Sequence, residues 1–292
     1  MRRLPLLSLI GMILGMTCSS CQKAETSPIP AYLIIDSTRI VCQQDQGNGS
    51  HDIAGVQVFA NQEFIGNFLF PARIPILKSG LVALSINPMI RINGASSQFT
   101  VFRTLNTLDT SVLLEATKET HLSAAFRFKS NAQIDWQEDF EDQSSTLVPL
   151  SRQKGDTAYM AQETLRGAST WVYRVDFEDS DTTKKIDLGS FRNFMGWPKD
   201  GTEIFLEFDI RCDVPVQLAL RRKSAGNSSY VPYLLLNKTG NQWKRFYCNL
   251  VYEVSGQAPD TEFQILFSAD KLNSETGSLG FALDNIRLSY LN

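Results

Sequence analysis

Residues 204–211 read IFLEFDIR. Ile204, Leu206, Phe208 and Ile210 fall on one side of an extended chain, and Glu207, Asp209 and Arg211 on the other. A period of two marks a strand with one face in a core and one toward solvent. Working outward, VQLALRR (216–222), WKRFYCNL (243–250), TEFQILFSAD (261–270) and LGFALDNIRLSY (279–290) read as further strands. Turn signals separate them at Gly226-Asn227, Thr239-Gly240 and Gly277. The last strand changes phase: Phe281 and Leu283 share one face, whereas Ile286, Leu288 and Tyr290 fall in the other register. A β-bulge at Asp284-Asn285, one extra residue against the partner strand, reconciles the two.

The first half of the chain has the same character. AYLIIDSTRIVC (31–42) is an opening strand, and QDQGNGSHD (44–52) a polar loop. In AGVQVFANQEFIGNF (54–68), Val56, Val58 and Ala60 alternate with Gln57 and Phe59, and Asn61-Gln62 suits a tight turn. RIPILKSGLVALSINPMI (73–90) supplies two more strands around Lys78-Ser-Gly80. Helical spacing is scarce. Short strands punctuated by turn residues predict an all-β chain of two β-sandwich domains, with the boundary in KSNAQ (129–133).

Composition bounds the function. Hydrophobic residues make up 43% of the 292 and charged residues 20%, enough apolar side chains for real cores. Lys and Arg number 28 against 31 Asp and Glu, and the one tight basic cluster, Arg221-Arg222-Lys223, reads as a solvated strand end. Nucleic acid is therefore not an expected partner, because phosphate contacts need clustered cations.

The N-terminus sets the expected location. Arg2 and Arg3 precede an uncharged run from Leu4 to Met16, too short to span a bilayer, which needs about 18–20 apolar residues. Small residues and Cys18-Ser-Ser-Cys21 follow. A basic start, a short apolar run and small residues form a secretory signal pattern. A redox C-x-x-C would sit inside a folded domain. A zinc site would need further ligands, and the chain has two histidines, His51 and His121. The segment resembles the lipobox of bacterial lipoproteins, which implies a lipid on Cys21, with Cys18 the second choice because Ser19-Ser20 before Cys21 fit the pattern better. Residues 1–20 are then the signal peptide and 21–30 a lipidated tether containing QKAETSPIP. The expected location is the outer membrane of a Gram-negative envelope, with periplasmic and surface faces both open.

Cys42, Cys212 and Cys248 remain in the body of the chain. Disulfides form in exported proteins. Cys212 and Cys248 lie on predicted strands and are candidates for a bridge; three reduced core thiols are the equal alternative.

Two resemblances refine the domains. Val56–Asn93, with Gly66 in a hairpin and a Pro-Ala-x-Ile-Pro step at Pro71–Pro75, is similar to the PEGA-like and immunoglobulin-like modules of envelope lipoproteins. It implies a spacer or interaction platform over residues 31–130. WQEDFED (136–142), LEFDIR (206–211), NQWKRFYCNL (241–250) and GFALDNIRL (280–288) together resemble the jelly-roll carbohydrate-binding modules of the galactose-binding-like and concanavalin-like class. That implies a jelly roll over residues 131–292. It also implies a structural calcium joining Asp139 or Glu141 to Asp284, since calcium takes six to eight oxygens. No other cofactor is expected.

Sugar binding in such folds uses exposed aromatic faces. Trp171, Tyr173, Trp197, Tyr230 and Tyr233 are the candidates: Trp197 sits in a Gly/Pro-rich loop and the two tyrosines follow the loop-like SAGNSS. Trp243 is a further candidate, though it stands just ahead of a strand, at a position that is often structural. No enzyme is expected. Neither histidine has a G-x-S-x-G partner. Glycoside hydrolysis needs paired carboxylates across a cleft. Concanavalin-like hydrolases set theirs as Glu-x-Asp-x-Glu, and here Arg211 follows Glu207-Phe-Asp209-Ile. Asp176, Glu178, Asp179 and Asp181 read as a solvated turn. The expectation is a lipid-anchored, non-catalytic envelope protein that binds a glycan through its second domain. The alternative is an accessory subunit of an outer-membrane assembly whose jelly roll binds protein.

Overall fold

The structure is a computed structural model; it describes residues 29–179, 182–272, 274–275, 277 and 279–292. The signal segment, Cys18 and Cys21 lie outside the described residues. The chain is all-β. The first eight strands are β1 (Ala31–Ile40), β2 (Gly55–Ala60), β3 (Glu63–Leu69), β4 (Arg73–Ile76), β5 (Gly80–Arg91), β6 (Phe99–Val101), β7 (Leu108–Leu114) and β8 (Glu119–Phe126). β4, β1 and β8 form one sheet, with β1 and β8 parallel. The second has the order β3-β2-β5-β6, with β7 also on β5. Asn61 and Gln62 both have positive φ, 49° and 67°, as the tight β2–β3 turn requires. Leu33, Val56, Val58, Ile74, Leu84 and Phe126 fill the space between the sheets.

The remaining strands build a larger sandwich. They are β9 (Ala132–Glu138), β10 (Leu147–Arg152), β11 (Thr157–Leu165), β12 (Ala168–Asp176), β13 (Lys184–Ser190), β14 (Ile204–Cys212), β15 (Val216–Ser224), β16 (Asn227–Leu236), β17 (Lys244–Asn249), β18 (Glu262–Lys271) and β19 (Gly280–Leu291). One turn of helix, α1 (Val251–Val254), follows β17. A five-stranded sheet of order β10-β13-β18-β15-β16 faces a six-stranded one of order β11-β12-β19-β14-β17, where β9 joins β19. Phe140, Phe194, Trp197, Phe208, Phe263 and Phe267 dominate the core between them. Glu138 closes the β9–β10 loop, accepting hydrogen bonds from the Phe140 amide (2.9 Å), the Thr146 amide (2.6 Å) and Thr146 Oγ1 (2.7 Å).

The phase change in β19 is a bulge. The β14–β19 register shifts between Glu207 and Asp209, and Asn285 has φ 50°. The alternation in IFLEFDIR is also present, with a different consequence from the one expected. The polar face of β14 does not meet solvent: Glu207 and Asp209 are both 0% exposed. The first sandwich covers them. Phe205 on β14 and Tyr247 on β17 belong to the first sandwich's core, where Phe102 meets their rings edge-on at 5.2 and 5.5 Å. Ile92, just after β5, forms a parallel bridge to Tyr247, and the Asn93 amide donates to the Tyr247 carbonyl at 2.8 Å. The two sandwiches thus share apolar surface and backbone hydrogen bonds.

Candidate ligand cleft

The aromatic residues singled out for stacking do not converge. Trp197 is 2% exposed, lies between Phe194 (5.3 Å) and Phe263 (5.0 Å), and donates Nε1–H to Asp135 at 2.7 Å. Its loop folds inward because a bulky ring gains more by filling the sandwich end than by facing water. Tyr173 is buried against Phe140, and Trp171, on the same core-facing side of β12, is half-buried. Tyr230 and Tyr233 lie on edge strand β16 and not in a loop. Tyr233 is half-buried, its hydroxyl 2.9 Å from Asn93 Oδ1 and 3.0 Å from the Asn249 carbonyl. Tyr230 alone of the five has a largely exposed ring, at 53%.

Cys212 and Cys248 are free and buried. Cys248 stands opposite Leu206, six positions back along β14 from Cys212. That separation is about 20 Å along a strand, whereas a bridge needs Cα atoms within about 7 Å. The Cys212 thiol donates instead to the Asn237 carbonyl at 3.4 Å, and burial raises the pKa of both thiols.

The expected calcium ligands meet in part. Thr170 Oγ1 lies 2.5 Å from Glu141 Oε1 and 3.2 Å from Asp284 Oδ2. Asp139 accepts from the Glu141 amide at 3.4 Å. Among the described residues no three His, Cys, Asp or Glu side chains are grouped to hold a metal. Burial, with Asp209 and Glu141 adding like charge, pushes the Asp284 carboxyl up to about 8.

What occupies the outer face of the six-stranded sheet is an ionic network. Arg245 donates to Glu207 and to Asp209, both at 2.9 Å, and Arg287 donates Nε–H to Glu207 at 2.8 Å. Burial pushes the Glu207 carboxyl up, but Arg287 and Arg245 together outweigh it and hold the group below its ordinary value. Arg287 also donates to the carbonyls of Gln46 (3.1 Å), Asn48 (3.1 Å) and Ser50 (3.2 Å), so it clamps the β1–β2 loop onto the sheet. Asn285, in the bulge, donates to Asp209 at 2.9 Å and accepts from Asn48 at 2.5 Å. Nearer the free edge, Arg174 and Arg211 both donate to Glu163, at 2.8 and 2.5 Å, and Arg174 also holds Asp176 at 2.8 Å.

A cleft of about 750 Å³ opens where this face meets the first sandwich. His51 and Asp52 of the β1–β2 loop, with Arg91 and Asn93 at the end of β5, form one side. Arg166 of the β11–β12 turn, Asn237, Lys238, Trp243 and Lys244 form the other. Gly94 packs so closely that a Cβ there would lie 2.5 Å from the Phe246 ring. Trp243 is half-buried, with the Arg211 guanidinium 5.9 Å from its ring centre. Burial lowers the pKa of His51, which leaves the ring neutral at pH 7. His121 lies elsewhere, on β8, paired with Asp36 at 2.8 Å.

Sequence reasoning weighed Trp243 as a stacking candidate but leaned to a structural role, and had no signal for Arg91 or Asn93. The residues come from two sandwiches. The one available hint was NQWKR, where an aromatic adjoins two cations ahead of a strand.

No family model matches the chain, and no curated protein matches it. Among solved structures, the chain is similar to a xylan-binding carbohydrate-binding module from Paenibacillus barcinonensis, at 14% identity over 53% of this chain and 98% of that one, TM-score 0.37. It is also similar to the family 11 carbohydrate-binding module of a Clostridium thermocellum cellulase, at 15% identity over 53% and 94%, TM-score 0.35. A third is a structure of carbohydrate-binding modules of the β-sandwich superfamily, at 13% identity over 81% and 85%, TM-score 0.37. At these TM-scores the likenesses carry no argument about the site.

Proposed function

We propose that the chain is a non-catalytic glycan-binding protein of the cell envelope, held at the outer membrane by a lipid on Cys21, or on Cys18 as second choice. One observation supports the binding reading above others: the interdomain cleft sets an aromatic wall, Trp243, among side chains that donate and accept hydrogen bonds. A sugar ring presents an apolar face that stacks on an indole and hydroxyls that need polar partners. The carboxylates nearest the cleft support a binding role over a hydrolytic one. Glu163, Glu207 and Asp209 are each held by arginine, and among the described residues Asp52 is the one carboxylate in the lining.

Binding is tested by titrating neutral and acidic polysaccharides into the full chain in detergent. Trp243→Ala is expected to weaken saturable binding about tenfold or more, the loss of one stacked aromatic. Trp197→Ala is expected to lower Tm, as removal of a core ring. Binding untouched by Trp243→Ala would remove the cleft from the reading.

A structural calcium belongs to the same proposal. Glu141 and Asp284 would hold it, with the remaining oxygens from carbonyls and water. Added calcium should then raise Tm and EDTA reverse it, with no response in Asp284→Asn.

The alternative reading, an accessory subunit of an outer-membrane assembly, is favoured by a different feature. Leu81 and Leu113 face each other across β5 and β7 and are 75% and 62% exposed. Fixed co-purifying proteins lost on Leu81→Lys, with no saccharide bound, would establish it.

A further inference from the structure

Resting on the reading of the cleft as a glycan site, we infer that it selects saccharides bearing acidic groups, carboxylate or sulfate, over neutral ones.

Positive charge remains in the cleft after the internal ion pairs are counted. Five cationic side chains line the cleft, Arg91, Arg166, Lys238, Lys244 and Arg245, against the single carboxylate of Asp52. Lys238 is answered by Glu275 at 2.7 Å. Arg166 and Arg245 of the lining, with Arg287 beneath it, share the carboxylates of Glu207 and Asp209. Arg91 and Lys244 have no ion-pair partner among the described residues. Arg91 also has a buried Nε–H without an acceptor. An unpaired buried donor is unfavourable until something supplies an acceptor.

The excess is local. The whole chain has a net charge of −3, so this positive concavity stands out against an acidic molecule. Walls of low dielectric concentrate the field inside it. The two uncommitted cations come from different sandwiches, Arg91 from β5 and Lys244 from β17, so the cleft acquires its charge when the two are docked. A ring with an equatorial acidic group could stack on Trp243 and place its anion between them. An arginine fork and a lysine point charge both suit carboxylate and sulfate oxygens.

The experiment compares matched ligands by calorimetric titration of the full chain in detergent. One arm sets oligogalacturonate against its methyl ester, the other sulfated against desulfated chondroitin; each pair differs in charge on one backbone. The expected result is that the more highly charged member of at least one pair binds about tenfold tighter or more, and that the preference fades between about 0.05 and 0.5 M salt. Arg91→Gln and Lys244→Gln should each abolish most of that preference while leaving Tm in place. Neither side chain has an ion-pair partner to orphan. Which arm responds identifies carboxylate or sulfate. Equal, salt-independent affinity for the two members of both pairs overturns the selectivity and leaves the glycan reading standing. No binding to any member by a folded chain overturns both.

Discussion

Asp284 holds a buried carboxyl whose charge is answered by no arginine of its own among the described residues. Its oxygens accept from the Asn285 amide at 2.7 Å and from Thr170 at 3.2 Å, while Asp209 and Glu141 add like charge. Burial raises its folded pKa from 3.8 to about 8. Between those values the folded chain retains a proton that the unfolded chain has lost. Stability contributed by that proton is therefore complete below about pH 4 and declines as pH rises through about 8. Asp284→Asn, which keeps the shape and removes the ionisation, should be the more stable protein at pH 9, by a few kcal/mol at most. Thermal melts of both proteins from pH 5 to 9 test this. Parallel curves would mean that Asp284 ionises freely, or that a cation holds it. LDNIR was legible as the end of a sandwich strand, but the sign of this pKa was not. It depends on Asp209, 75 positions earlier, taking the nearby arginines for itself.

At the scale of the element, the β19 bulge has two tasks. It returns the apolar register of Ile286, Leu288 and Tyr290 to the core, and it turns Asn285 toward Asp209 and Asn48. The first task was readable, because a phase change in an alternating pattern has few other remedies. The second was not, since Asn48 lies in a loop of the other sandwich. Asn285→Val should cost about 2–4 kcal/mol: a β-branched residue at φ 50° is strained, and two hydrogen bonds go. Asn285→Gly should recover the strain but not the hydrogen bonds, and so fall between Val and native in urea midpoint. The β16 tyrosines were misread for an element-level reason. A polar run, SAGNSS, signals a turn, yet Asn227–Leu236 already pairs with β15 from its first residue. The turn is only Ala225-Gly226.

For the whole molecule, the contact between sandwiches is a core with charges embedded in it. Phe102, Phe205 and Tyr247 supply the apolar part, and Glu207, Arg245 and Arg287 the polar part. Calorimetry should accordingly show one cooperative transition for the intact chain. Two separable peaks would mean that the sandwiches unfold independently. Glu207→Gln leaves Arg287 and Arg245 short of a buried counter-charge and should destabilise by about 3–5 kcal/mol, as breaking a buried pair does. Arg73→Gln, at the exposed pair with Glu119, should leave stability almost unchanged.

The sequence by itself determined strands β1–β5, β14, β15 and β17–β19 and the bulge, because a strand's two-residue period is a local property of the backbone. It also determined which residues of β14 face the second core. Only the tertiary structure decided what covers the opposite face. Glu207 and Asp209 read as solvent-facing because carboxylates usually are, and here two arginines and a loop from the first sandwich bury them. The same docking draws Trp197 and Tyr173 no closer to any ligand, and brings Trp243, Arg91 and Lys244 around one cleft. A site made of residues 91, 166 and 243–244 has no sequence spacing to read, since its distances exist only after two separately patterned sandwiches have packed together.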